Sequence, residues 1–194
     1  MKAMRAKSFM DLPRETLERL RRGLPGVRHW IERYLADPVH VYRPLDLEQF
    51  RRLPLYFSPA VLGRVRIATV ERIEVAPVSH LGPFVAEFEQ IPTVITAASA
   101  KDRIFVLPSS AESESAHVPQ LVRVIQWDEV GTNLFLFAYF ALLAEVGFRQ
   151  SPLIDMTHRI GAAFDRGEPL PDLEAAIRRE MREIVAPYRT LLRS

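Results

Sequence analysis

The chain has 194 residues, 48% of them apolar and 26% charged, which fits one soluble folded unit with a real hydrophobic core. Its formal net charge of +2 calls for neither a nucleic-acid nor a membrane partner. With no cysteine, disulfides, thiolate zinc sites and cysteine nucleophiles are excluded, and a reducing cytoplasm is the expected location.

Met1 to Met10 carries Lys2, Arg5 and Lys7 with no apolar run behind them, unlike a signal peptide. The longest apolar run, Leu134 to Ala144, falls well short of the roughly 20 residues that span a bilayer.

Leu17, Leu20, Leu24, Val27, Trp30, Ile31 and Tyr34 follow helical spacing. Gly23, Pro25 and Gly26 interrupt them, which predicts two helices, 13–22 and 26–36, with Asp11 near the first cap. Their outer face alternates arginine with glutamate, as a solvated face does, and a nucleic-acid surface is the lesser reading. A short helix is predicted over 45–53 with Leu47, Phe50 and Leu53 on one side, and Ser58-Pro59 opens another that stops near Gly63.

Val65 to Val75 is rich in β-branched residues and predicts a strand with a bulge at Thr69. Residues 76–92, with His80, read as a loop that leaves room for a helix at 83–90. Thr93–Ala98 and Arg103–Leu107 predict a hairpin turning at Lys101-Asp102. Pro108 to Glu114 reads as a polar loop, and its serines are more simply surface groups than nucleophiles.

Helices are predicted over 117–130, closed by Gly131, and from Thr132 or Asn133 to about 146. Ser151-Pro152 starts another, to about 166. Asp172 caps the last, 173–185, with Leu173, Ala176, Ile177, Met181, Ile184 and Val185 inward and Pro187 ending or kinking it. No repeat or low-complexity linker divides the chain, and no G-x-S-x-G elbow, P-loop or G-x-G-x-x-G occurs.

The segment Leu121-Val122-x-Val124-x-Gln126-Trp127 resembles the H-E-L-V-H-V-x-Q-W active-site helix of bacterial zincin-like metallopeptidases. Arg103–Val106 before it and Asn133-Leu134-Phe135-x-x-x-Ala138-Tyr139 after it are similar to the flanking elements of those proteins. Leu55–Phe57 and Val65–Ile67 are similar to their upstream region. Phe148-x-x-Ser151-Pro152-Leu153 resembles their Y-x-x-x-P-L-E, which carries a third, glutamate ligand.

The likeness spans roughly residues 45–165. It implies one α+β domain, predominantly helical, with a small sheet packed on the former active-site helix. Residues 1–44 are then a helical N-terminal extension, 45–165 the zincin-like core and 166–194 a C-terminal helix.

In such peptidases two histidines four apart bind Zn²⁺ from one helical face, the neighbouring glutamate is the general base, and a later carboxylate completes the site. Here Pro119 and Arg123 stand at the histidine positions, Gln120 at the base and Ile154 at the third ligand. Proline and isoleucine have no ligating atom, glutamine is no base, and a permanently charged guanidinium repels a metal. The resemblance therefore implies an inactive, metal-free descendant that serves as a binding or scaffold module, with no cofactor. A small molecule or peptide with an acidic group enters the old cleft at Pro119, Gln120, Arg123, Ile154, Asp155 and His158. Self-association is compatible with this reading.

Arg123 is expected either to pair bidentately with Asp155, helped by Gln120, or to extend to solvent. Two lesser alternatives are kept. One is a metal-dependent hydrolase with a displaced site at His117, Asp155 and His158. The other is a nucleic-acid binder using the basic surface of helices 13–36 and 173–193.

Overall fold

A computed structural model of the chain describes residues 12–74 and 95–193. The expectations placed on Asp11, on Val75, on the loop 76–92 with His80, and on Thr93 lie outside the described residues. Within them the protein is α+β and predominantly helical, with a small four-stranded sheet.

Helix α1, Arg14–Ala36, is a single helix and not the predicted pair. Pro25 sits inside it and forfeits one backbone hydrogen bond. The apolar stripe of Leu20, Leu24, Val27 and Ile31 is buried continuously across that point, and its packing outweighs the missing bond. The predicted 45–53 helix is instead a turn. Asp46 Oδ1 accepts from the backbone N–H of Glu48 and Gln49 at 3.0 and 3.2 Å, so the chain closes on its own aspartate. Leu45, Phe50 and Leu53 still point inward, whereas Leu47 is exposed.

Ser58 caps α2, Pro59–Arg64, with its hydroxyl accepting from Val61 N–H at 3.3 Å.

Strand β1 is Arg43–Pro44, β2 Arg66–Thr69, β3 Ala97–Ala100 and β4 Arg103–Val106, in the order β1-β2-β4-β3. β1 runs antiparallel to β2, and β2 runs parallel to β4 with Ile67 opposite Ile104. The β3–β4 hairpin is present as predicted, with Ala98 opposite Phe105 and Lys101 at φ 54° in the turn. β3 forms one edge of the sheet.

Helix α3, Glu114–Val146, is the centre of the molecule. Ser113 caps it by accepting from Ala116 N–H at 3.3 Å. Gly131, at φ 74° and ψ 165°, breaks the helical geometry and divides α3 into the two limbs expected from the sequence. Trp127 and Phe135 stack across the break with ring centroids 4.1 Å apart. By length and composition α3 is the one described helix apolar enough to cross a membrane. It is broken at Gly131, however, and buries Phe135, Phe137, Phe140 and Leu142 inside the protein.

Helix α4, Pro152–Asp165, starts at the Ser-Pro signal. The serine helps through its backbone, which accepts from Ile154 and Asp155 N–H at 3.0 and 2.9 Å, and not through its hydroxyl. Helix α5, Leu173–Arg193, continues past Pro187, beyond the predicted end. Tyr188 is buried one position later and donates to Glu145 of α3 at 2.9 Å, which fastens this last part of α5.

The core has two clusters that meet on α3. One joins α1, the second limb of α3 and α5. The other joins residues 45–65, β4, the first limb of α3, α4 and the start of α5.

Candidate ligand cavity

A cavity of about 510 Å³ lies between the first limb of α3, α4, α1 and β3. That volume is in the range of small-molecule sites. Pro119, Gln120 and Arg123 line it from α3, and Ile154, Thr157 and His158 from α4. Five of the six expected cleft residues therefore face one space. The reason is helical phase: positions 119 and 123 are one turn apart and share a face, and so do 154 and 158.

The rest of the wall is mainly apolar. Trp30 and Tyr34 come from α1, Thr96 to Ala100 from β3 and the chain before it, and Trp127, Phe135 and Tyr139 from the kink of α3.

Asp155 is the sixth residue, and it does not join the others. It is exposed and pairs with Arg159 at 3.5 Å, while Arg159 also binds Glu180 of α5 at 2.8 Å. One residue past Ile154 means a turn of about 100° around α4, which carries the carboxylate out of the cleft. The expected Arg123–Asp155 pair is corrected accordingly.

Arg123 does not extend to solvent either. Its Nη1 donates to Gln126 Oε1 at 3.0 Å, and its guanidinium carbon lies 5.2 Å from the Tyr139 ring centroid and 5.8 Å from that of Phe135. No carboxylate pairs with it among the described residues. Loss of hydration pulls this guanidinium below the usual arginine range, and the neighbouring Tyr139 opposes that shift. Gln120, expected to assist Arg123, instead donates to the backbone carbonyl of Ala97 in β3 at 3.3 Å, tying the helix to the sheet edge.

Gln126 holds Arg123 in place and was not among the expected site residues. Fully buried, it donates through Nε2 to the Leu153 carbonyl at 3.2 Å and to Met156 Sδ at 3.2 Å. Its amide therefore joins α3, α4 and the arginine. The signal was legible as a second polar side chain, after Arg123, in the otherwise apolar run from Leu121 to Trp127. The aromatic partners Phe135 and Tyr139 reach Arg123 only because Gly131 bends α3, which spacing alone does not reveal.

His117 is not at this site. It is buried against Phe50, ring centroids 4.7 Å apart, and lies about 120° around the helix from Arg123. Its Nδ1–H donates to the Ser113 carbonyl at 2.7 Å, which leaves Nε2 as a lone pair without a partner in the core. Burial lowers its pKa, so the ring is held neutral. The displaced His117, Asp155 and His158 site is not assembled, since one residue is in the core, one points to solvent and one is at the cavity mouth. Among the described residues no three His, Asp or Glu side chains group as metal ligands.

On the basic helices much of the charge is internally paired. Arg14 meets Glu18, Arg19 meets Glu15 and Arg28 meets Glu32, each one turn apart on α1. Arg178 and Arg182 of α5 clamp Asp128 and Glu129 of α3. Searches of family models, curated proteins and solved structures find no match to the chain.

Proposed function

We propose that this protein is a non-catalytic binding module whose ligand, a small molecule or peptide end with an acidic group, occupies the cavity between α3 and α4. The observation that carries this reading is the position of Arg123. A guanidinium with no carboxylate partner among the described residues lines a largely apolar cavity, and a buried glutamine holds it there. A partly buried cation facing an apolar cavity is stabilised when an anion joins it there.

The resemblance to zincin-like peptidases supports the same reading. The positions that would carry metal and base are Pro119, Gln120, Arg123 and Ile154, and all four line the cavity. They fit neither a metal nor a catalytic water. Residence in the cytoplasm is part of the proposal and is supported by the lack of cysteine.

The test is a titration with the apolar anion 1-anilinonaphthalene-8-sulfonate, alongside metal analysis of protein purified without chelator. Saturable binding at one probe per chain, lost in Ala98→Trp, which fills the cavity from β3, is the expected outcome, with zinc far below one per chain. Unchanged probe binding in Ala98→Trp, or stoichiometric zinc lost on His158→Ala, overturns the reading.

A further inference from the structure

We infer that the ligand is a monocarboxylate with a compact apolar body, such as a medium-chain or aryl-alkanoic acid, whose carboxylate is taken by Arg123 while its body lies among the rings around the α3 kink. The inference rests on the binding-module reading above and narrows it to one chemical class.

Charge is the first argument. Among the described residues, three ionisable side chains with a bearing on charge line the cavity, namely Glu74, Arg123 and His158. Glu74 is half-exposed and already paired with Arg72 at 3.1 Å, and His158 is exposed at the mouth. Arg123 is thus the one lining cation with a permanent charge and no anionic partner among the described residues. A single guanidinium balances a single negative charge. A phosphate dianion is ordinarily held by several N–H donors or clustered cations, and the lining provides no second fixed cation among the described residues.

Shape is the second argument. Nη1 is engaged by Gln126, so the guanidinium is fixed and not free to follow a mobile ligand. Such a fixed planar fork matches the flat carboxylate group. Around it Trp127 and Phe135 stack at 4.1 Å and Phe135 and Tyr139 at 5.8 Å, which gives a continuous aromatic wall. About 510 Å³ accommodates a body of roughly ten to fifteen heavy atoms.

Two of the polar side chains on the wall are spent internally: Gln120 donates to Ala97, and the Thr157 hydroxyl donates to the Ile154 carbonyl at 2.7 Å. The Ser99 hydroxyl and Trp127 Nε1, also on lining residues, are buried without a hydrogen-bond partner among the described residues.

Both tryptophans of the chain, Trp30 and Trp127, line the cavity, so their emission reports occupancy. The experiment titrates the full chain with octanoate, 4-phenylbutyrate and 3-cyclohexylpropionate, with the amide of each, and with phenyl phosphate, using wild type and Arg123→Met. At least one acid is expected to bind saturably and its amide at least about tenfold more weakly. Arg123→Met is expected to bring the acid down to the level of the amide, and phenyl phosphate to bind no more tightly than the acid.

An amide equal to its acid in wild type, which needs no folded variant to observe, overturns the monocarboxylate assignment while leaving a binding cavity. Phenyl phosphate tighter than every acid does the same, as does an Arg123→Met protein that still separates acid from amide. If no compound in the panel binds but the anilinonaphthalene sulfonate does, the assigned class is wrong. If neither the panel nor that probe binds, the binding-module reading fails as well.

Discussion

Gln126 and His117 are both fully buried polar residues on the first limb of α3, and they differ in how well they are satisfied. Gln126 has partners for both ends of its amide, so removing it leaves Arg123 and the start of α4 without a link. Gln126→Ala is expected to destabilise the fold by about 1–3 kcal/mol in urea denaturation and to weaken ligand binding along with it. His117 has a partner at one nitrogen only. Its pKa is lowered in the fold, so the folded state takes up its proton at lower pH than the unfolded chain does. Its contribution is therefore full above the unfolded value of about 6.5 and declines as pH falls from there toward the lowered folded value. The drop in urea midpoint between pH 7.5 and pH 5 is expected to be smaller in His117→Phe than in wild type, and an equal drop would count against a buried neutral ring. At this scale the sequence was legible wherever helical spacing alone decides. Positions 119, 120, 123, 154 and 158, singled out by helical spacing, line one space. Asp155 does not line it, because one residue of helical phase turns it toward Arg159, four residues on in the same helix, a pairing that the i,i+4 spacing already carried.

Prolines and glycines act on whole elements here, and their effects separate by whether an apolar stripe continues past them. Pro25 and Pro187 both lie inside helices because Leu24–Val27 on one side and Val185–Tyr188 on the other keep packing across them. Read locally, each looked like an end. Gly131 is different in kind. Its φ of 74° with ψ of 165° is a conformation that side-chain-bearing residues rarely adopt, and open space beside it means that backbone strain alone sets the penalty. Gly131→Ala is expected to cost about 1–3 kcal/mol in thermal or urea unfolding and to disturb the Trp127–Phe135 stack, visible as a loss of near-ultraviolet circular dichroism. A neutral substitution would mean that α3 does not require this bend. The break was readable from the sequence as a glycine between two capped helical runs. Its consequence, that Phe135 and Tyr139 come back over Arg123, depends on the bend angle and was not.

Across the whole molecule the cavity sits against the core cluster built on α1, the second limb of α3 and α5, from which Val27, Ile31, Trp127, Phe135, Phe140 and Ile154 line it. Arg123 lines this space from the first limb of α3. The helical content, the hairpin and the main buried stripes were legible because they follow from period and capping. The cavity was legible only in outline, since its walls come from α1 and β3, which are distant in sequence from α3. The central claim is that a guanidinium-bound carboxylate, and not a metal, belongs in this space. The most direct measurement is a crystal structure grown with 4-phenylbutyrate and equimolar zinc chloride, with anomalous data collected at the zinc edge. The account predicts carboxylate density within hydrogen-bond distance of the Arg123 guanidinium, the phenyl ring against Phe135 or Tyr139, and no anomalous peak between residues 119–123 and 154–158. A zinc peak in that space, or a ligand bound elsewhere with Arg123 turned away from the cavity, would contradict it.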